Sequence, residues 1–82
     1  MTQNYRIALL EDNSKLLERL AEYILKIQNV EIVLKSKNSD DFFEQLNTCY
    51  PDILVTDLDL GNDSLTGMEV AQELKIPVFF AS

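Results

Sequence analysis

The sequence predicts an α/β domain built on a parallel β-sheet, and three observations support this prediction. Four apolar runs of strand length alternate with three stretches in which apolar residues recur at helical spacing. This alternation is typical of parallel strands joined by right-handed helical crossovers. Turn-forming or helix-capping residues, among them Asn13, Ser39, Pro51 and Gly61, separate the successive elements. The 82 residues correspond in size to one small domain.

The first half of the chain predicts two strands and two helices. Residues 5–10 and 31–35 form the strands. Asn13 or Ser14 can cap the first helix. Ser39 is predicted to cap the second helix, which has acidic residues in its first turn, where the helix dipole favours negative charge. The apolar positions are Leu17, Leu20, Ala21, Ile24 and Ile27 in the first helix, and Phe42 or Phe43, Leu46 and Cys49 in the second.

The second half of the chain predicts two further strands and a third helix. Pro51 ends the second helix and opens a strand at residues 53–56, which is apolar enough to be buried on both faces. A polar turn follows, and then a helix over residues 66–75. Residues 78–81 form a fourth apolar strand. The positions of the third helix that face inward are Val70, Ala71 and Leu74.

The fourth predicted strand is apolar on both faces, although the sequence stops at Ser82. Strands of a parallel sheet are normally sheltered by helices on both sides. We therefore expect either that the sequence is part of a longer chain or that the uncovered strand finds a partner, for which a homodimer through this strand is the candidate.

The composition excludes several classes of site and partner. Fourteen acidic and seven basic residues give a net charge of −7, which repels nucleic-acid phosphate, so we expect no direct nucleic-acid contact by this segment. The single cysteine, Cys49, excludes an internal disulfide and a cysteine-based zinc site, and the absence of histidine excludes histidine-based triads. Without a signal-like N-terminus or an apolar run of about 18 residues, the chain is expected to be cytoplasmic and outside the membrane.

Two of the predicted strands end in acidic residues. Glu11 and Asp12 follow the first strand, and Asp57 follows the third, with Asp59 two positions later. In an open α/β sheet, ligands bind in the crevice outside the carboxyl ends of the strands. A lone Asp after a strand is more often a turn former or a helix cap. Acidic residues after two strands instead predict one shared cation site, because converging carboxylates repel each other unless a cation lies among them.

The motifs resemble those of the receiver domain of two-component response regulators. The matching segments are Ile7-Ala-Leu-Leu-Glu11-Asp12, Pro51-Asp-Ile-Leu-Val-Thr-Asp57, Gly67-Met-Glu and Ile76-Pro-Val-Phe-Phe-Ala-Ser82. The resemblance implies a doubly wound, flavodoxin-like sheet, which in that family has five strands in the order 2-1-3-4-5 and five helices. Residues 1–82 would then be a receiver domain that is incomplete at the C-terminus, with strand order 2-1-3-4 and without helix 4, strand 5 and helix 5.

The resemblance also implies a role for each residue of the site. Asp57 would be the phosphoryl acceptor, and Glu11 and Asp12 would be the acidic pair that holds Mg²⁺ together with Asp57. Asp59 would complete the metal shell with its backbone carbonyl, and the Ser82 hydroxyl would hydrogen-bond the phosphoryl group. The lysine that follows the fifth strand in the family has no counterpart in this sequence. In addition, the loop before Gly67 is longer than the commonest family version.

The function that the resemblance implies is that of a phosphoacceptor. A sensor histidine kinase or a phosphotransfer protein would donate the phosphoryl group, and its arrival would switch an output that the sequence does not identify. Such a domain assists its own phosphorylation, and no turnover of a separate substrate is expected.

Two other functions are compatible with these residues. The Asp57-Leu-Asp59 motif also resembles the nucleophile motif of haloacid-dehalogenase-type phosphatases, although those enzymes usually carry threonine or valine where Gly61 stands, and Glu11 and Asp12 would have no role in them. The second alternative is a receiver-like interaction module that acts without phosphorylation. The missing lysine would deprive the phosphoryl oxygens of a charge-assisted partner, typically worth about 1.5–3 kcal/mol. We therefore expect the 82-residue chain to accept phosphate poorly or not at all.

Overall fold

A computed structural model of the chain describes residues 4–56 and 67–80. Within these ranges, strands and helices alternate in the predicted order. None of the helices in this part of the chain combines the length and the apolar character that a membrane crossing requires. The strands are β1 (Tyr5–Leu10), β2 (Val30–Ser36), β3 (Ile53–Thr56) and β4 (Val78–Phe80), and the helices are α1 (Ser14–Leu25), α2 (Ser39–Leu46) and α3 (Gly67–Glu73).

The strands form one parallel sheet in the order β2-β1-β3-β4, which confirms the predicted order. At its carboxyl edge, Leu10 pairs with Ser36 on one side and with Thr56 on the other, and Thr56 pairs with Phe80. These four residues form a row across the sheet. Because all four strands run in the same direction, the loops that follow this row meet at one edge of the molecule.

Helices cover the sheet on both faces, as the doubly wound arrangement requires. Side chains alternate between the two faces along a strand, so β1 contributes to both cores. On one face Ala8 and Leu10 pack with Phe42 of α2 and Val70 of α3. On the other face the core is formed with α1, and its buried members are Ile7, Leu9, Leu17, Ala21 and Ile24.

Asparagine residues cap the two helices whose beginnings follow β1 and β2. The Asn13 Oδ1 atom accepts hydrogen bonds from the backbone N–H groups of Lys15, at 3.0 Å, and Leu16, at 3.2 Å. The Asn38 Oδ1 atom accepts from Asp41 N at 2.8 Å. The prediction that Ser39 caps α2 is therefore wrong. Asn38 has the extended backbone of a capping residue, whereas Ser39 is the first residue of the helix and is fully buried.

Several predicted boundaries are corrected. Helix α1 ends at Leu25, so Ile27 lies beyond it and is exposed, contrary to its predicted place in the core. Asn29, in the turn that follows, has a φ of 66°, a left-handed conformation that asparagine tolerates better than most residues. Helix α2 ends at Leu46, so the half-buried Cys49 follows the helix.

The remaining elements depart less from their predictions. Strand β3 has the predicted bounds, and β2 is one residue longer than predicted at each end. Helix α3 is shorter than the predicted 66–75, and both Val70 and Leu74 are buried as expected. The predicted inward position of the Ala71 side chain and the predicted strand position of Ala81 lie outside the described residues.

Strand β4 is the outer strand of the described sheet. It pairs with β3, and its two aromatic side chains alternate between the faces: Phe79 is 60% exposed and Phe80 is 41% exposed. Both residues therefore retain a large contact with solvent.

Candidate functional site

The two strands that acidic residues follow in the sequence end side by side at the carboxyl edge of the sheet. Leu10 and Thr56 are register partners at the ends of the neighbouring strands β1 and β3. Glu11 and Asp12 follow Leu10 directly, and Asp57 follows Thr56 directly. The chain therefore leaves two adjacent strands at the same level of the sheet, and acidic residues follow both exits. Asp57, Asp59 and Ser82 themselves lie outside the described residues.

Glu11 is held in place through its backbone and its side chain. Its residue is only 1% exposed, its backbone N–H donates to the Ser36 carbonyl at 3.0 Å, and its Oε2 atom accepts from Asn13 N at 3.0 Å. A buried carboxylate is costly unless it is hydrogen-bonded or paired. The contact with Asn13 spans the residue between them, so the Glu11 side chain closes a tight turn around Asp12.

Asp12 lies at the tip of this turn and is exposed. Its neighbours on either side are fixed, Glu11 by β2 and Asn13 by its own capping bonds to α1. The two acids of the pair therefore differ in environment: one is buried and anchored, and the other is presented to solvent. This arrangement suits a site in which Asp12 meets a cation or a partner directly and Glu11 supports it.

A polar network behind the acidic turn joins β2 to α2. Ser36 is 2% exposed, and its Oγ atom lies 2.8 Å from Asp41 Oδ2 and 2.9 Å from the Asn38 carbonyl, so its single proton can be donated to either acceptor. The Asp41 Oδ2 atom also accepts from Gln45 Nε2 at 2.7 Å. Sequence reasoning missed this network, and the only signal for part of it is the Asn38-x-x-Asp41 spacing of a helix cap.

A lysine links the end of β2 to the beginning of α1 beside the acidic turn. The Lys37 Nζ atom donates to Ser14 Oγ at 2.7 Å, which links the residue after β2 to the first residue of α1. This cation follows β2, the strand on the far side of β1 from β3. It therefore places a positive charge beside the carboxyl edge of the sheet, in a chain whose net charge is −7.

The donors in the described part of the edge fit a hard divalent cation such as Mg²⁺. They are carboxylate oxygens, the ligand type that Mg²⁺ prefers, and the exposed Asp12 leaves room for the water molecules that this ion retains. Among the described residues, no group of three or more potential metal-ligating side chains of Asp, Glu, His or Cys comes together. Of the four predicted ligands, the structure thus places Glu11 and Asp12 beside each other, and it leaves the positions of Asp57 and Asp59 untested.

Comparison with solved structures identifies the fold. RcsB from Salmonella enterica serovar Typhimurium, bound to the rprA promoter in the presence of the phosphomimetic BeF3−, matches with a TM-score of 0.77 and 19% identity over 89% of this chain. RcsB bound to the P1flhDC promoter matches with a TM-score of 0.79 and 18% identity over 93% of this chain. A third structure of the RcsB response regulator matches with a TM-score of 0.80 and 18% identity over 94% of this chain. It was solved in a study of conformational dynamism for DNA interaction.

The chain has the receiver fold. The matches confirm the doubly wound, flavodoxin-like sheet in the order 2-1-3-4. The chain spans 40–42% of the length of these RcsB chains. No family model matches the sequence. No curated protein matches it either.

Proposed function

We propose that the chain is the phosphoacceptor receiver domain of a two-component response regulator, with Asp57 as the acceptor. The observation that carries the proposal is the register pairing of Leu10 with Thr56, the two residues that directly precede Glu11 and Asp57 in the sequence. The likeness to RcsB supports it, since RcsB is a response regulator and its promoter complexes were obtained with a phosphomimetic.

In this proposal the acidic edge holds Mg²⁺. Asp12 and Asp57 would provide carboxylate oxygens and Asp59 its backbone carbonyl, and Glu11 would act directly or through a water molecule. When bound, the ion neutralises negative charge on the transferring phosphoryl group. The burial of Glu11 and its bond to Asn13 keep the turn in one shape before the ion arrives.

The proposed reaction is a displacement at phosphorus. A carboxylate oxygen of Asp57 attacks the phosphorus of a phosphohistidine on the kinase or phosphotransfer protein, the P–N bond breaks, and its electron pair stays on the imidazole nitrogen. The product is a mixed anhydride on Asp57, with additional negative charge and strong acceptor oxygens. The Ser82 hydroxyl would donate to one of these oxygens and so report the change to the rest of the domain.

The proposed partners follow from the same assignment. The donor is a sensor histidine kinase or a phosphotransfer protein, and the recipient of the signal is an output domain or partner outside this segment. The net charge of −7 disfavours direct contact between this segment and DNA. The domain is proposed to work in the cytoplasm, without turnover of a separate substrate.

A labelling experiment tests the acceptor. The 82-residue chain is incubated with Mg²⁺ and a small acyl-phosphate donor, and the adduct is located by mass spectrometry of the intact protein and its peptides. We expect slow labelling at Asp57 that is lost in Asp57→Asn. Asp52→Asn is the matched control, because Asp52 is an exposed acid just before β3, at the opposite edge of the sheet.

Each alternative has its own outcome in the same experiment. An adduct of equal yield in Asp57→Asn would refute the assignment of the acceptor. A longer segment that also carries the family's lysine and still takes no label would favour the phosphorylation-independent interaction module. Multiple turnovers of a generic phosphate ester, lost in Asp57→Asn, would favour the phosphatase.

A further inference from the structure

We propose that Ser36 is a positioning residue for the acidic pair, and that its buried hydroxyl sets the affinity of the site for Mg²⁺ through the backbone of Glu11. The inference rests on the proposed function, since it concerns the same cation site. It assigns a role to a residue on β2, which contributes no ligand to the site.

Strand β2 contacts the acidic turn through the backbone of its last residue, Ser36. The Ser36 carbonyl accepts the backbone N–H of Glu11 at 3.0 Å, immediately beyond the register pair of Ser36 with Leu10. The position of this carbonyl therefore determines where the Glu11 backbone leaves the sheet. Asp12 is the next residue, so a displacement at Glu11 is passed on to the exposed carboxylate.

The side chain of Ser36 restrains the position of its carbonyl. Ser36 is the last residue of β2, where the ladder of strand hydrogen bonds ends and the chain turns into α2. Beyond the strand hydrogen bonds, the buried hydroxyl holds the residue. Its Oγ atom can donate to the Asn38 carbonyl or to Asp41 Oδ2, and it accepts from Asn38 N at 3.4 Å. A buried hydroxyl that loses its partners is costly, so these contacts restrain the residue.

Asp41, which accepts from the Ser36 hydroxyl, is itself held by other hydrogen bonds. Asp41 belongs to the first turn of α2, where its backbone N–H is capped by Asn38 and its carboxylate also receives Gln45 Nε2. Ser36 thus connects two elements: its carbonyl accepts from the acidic turn after β1, and its hydroxyl contacts the beginning of α2. Networks of this kind hold a residue more firmly than any single bond does.

This arrangement matters because Mg²⁺ requires near-octahedral geometry and tolerates little displacement of its ligands. Partners hydrogen-bonded directly to metal ligands typically change metal affinity by about 10- to 100-fold when they are removed, and because the Ser36 hydroxyl acts through its own backbone we expect an effect at the low end of this range. Ser36 itself is buried beneath the turn, so its effect on the ion is indirect. We expect Ser36→Ala to leave the fold intact while the acidic turn becomes less restrained.

The test is a titration of the isotope-labelled 82-residue chain with Mg²⁺, followed through the amide signals of Glu11, Asp12 and Asn13. Ser36→Ala should weaken Mg²⁺ binding by about tenfold, and Ser36→Thr, which keeps the hydroxyl, should recover most of it. Thr48→Val is the control, because the Thr48 hydroxyl bonds to the Gln45 carbonyl at the far end of α2. Hydrogen exchange at the Glu11 amide should accelerate in Ser36→Ala alone.

The outcomes separate the inference from the proposed function. If the wild-type amides do not respond to Mg²⁺, both fail. If the wild type binds and Ser36→Ala binds within about twofold of it, the positioning role is overturned while the cation site stands. A loss of affinity that Thr48→Val or Ser36→Thr shares equally would also overturn it, since the effect would then not depend on the Ser36 hydroxyl. If Ser36→Ala does not fold, Asp41→Ala removes the acceptor instead and is judged by the same criteria.

Discussion

The backbone N–H of Asn13 donates to the carboxylate of Glu11 at 3.0 Å, while the Asn13 side chain caps helix α1. One residue therefore connects the acidic turn to the beginning of a helix. The shape of the candidate site and the stability of α1 depend on the same asparagine. This connection makes several effects of substitution predictable.

Asn13→Ala should lower the free energy of unfolding by about 1 kcal/mol, since it removes the side-chain acceptor for two N–H groups of the first helical turn. Urea denaturation followed by circular dichroism measures the change. Asn13→Asp should differ little from the wild type, because aspartate caps helices about as well as asparagine. An equal loss in both variants would mean that the cap contributes nothing that is specific to the oxygen acceptor.

Asp12→Asn should weaken Mg²⁺ binding by about tenfold or more, equivalent to about 1.4 kcal/mol or more, with little change in stability. The physical reason is the loss of one negative charge at the exposed residue that we propose as a ligand. Isothermal titration calorimetry measures the affinity. Glu22→Gln is the control, because Glu22 is an exposed acid on α1. The same affinity in Asp12→Asn and in the wild type would remove Asp12 from the site.

Leu54→Ala should cost about 2–5 kcal/mol of stability, because Leu54 is fully buried in β3 between its neighbouring strands and one helical layer. Leu25→Ala is the comparison, since Leu25 is 62% exposed at the end of α1 and its loss should change stability by no more than about 0.5 kcal/mol. Chemical denaturation of both variants provides the measurement. Similar values for the two would contradict the assignment of the core.

Phe79→Glu should reduce self-association of the chain. Strand β4 is the outer strand of the described sheet, and Phe79 is 60% exposed there, so a second copy is the partner expected to cover it. Sedimentation velocity over a range of concentrations measures the dimer fraction. Tyr50→Glu introduces the same charge at another exposed aromatic residue and should leave the fraction unchanged. A wild-type chain that stays monomeric at all concentrations would exclude this dimer.

The strands were the easiest elements to predict from the sequence. Strand β3 has the predicted bounds because Pro51 marks its approach and the apolar run of residues 53–56 has no helical alternative of sufficient length. The strand order, in contrast, follows from the resemblance to a known family and not from the apolar pattern itself. Pattern alone shows that strands are parallel, and it does not show which of them are neighbours.

The errors have local physical causes. Asn38 and Ser39 are both good capping residues, and only the backbone conformation decides between them. Ile27 continues the helical spacing of α1, but the chain leaves the helix before reaching it. The contact of Ser36 with Asp41 depends on how β2 enters α2, which no periodicity reveals. In the candidate site, the acidic pair was predictable from its place after a strand, and the residues that restrain it were not.

The place of β1 in both cores has a consequence for how the end of this strand opens. Leu9 and Leu10 face opposite sides, and each is fully buried, so neither layer can detach without exposing one of them. Amide protons at the end of β1 should then exchange only when the whole domain opens. The turn that follows these residues is attached to a strand that both helical layers hold, so we expect Glu11 and Asp12 to keep their positions until the domain unfolds as a unit.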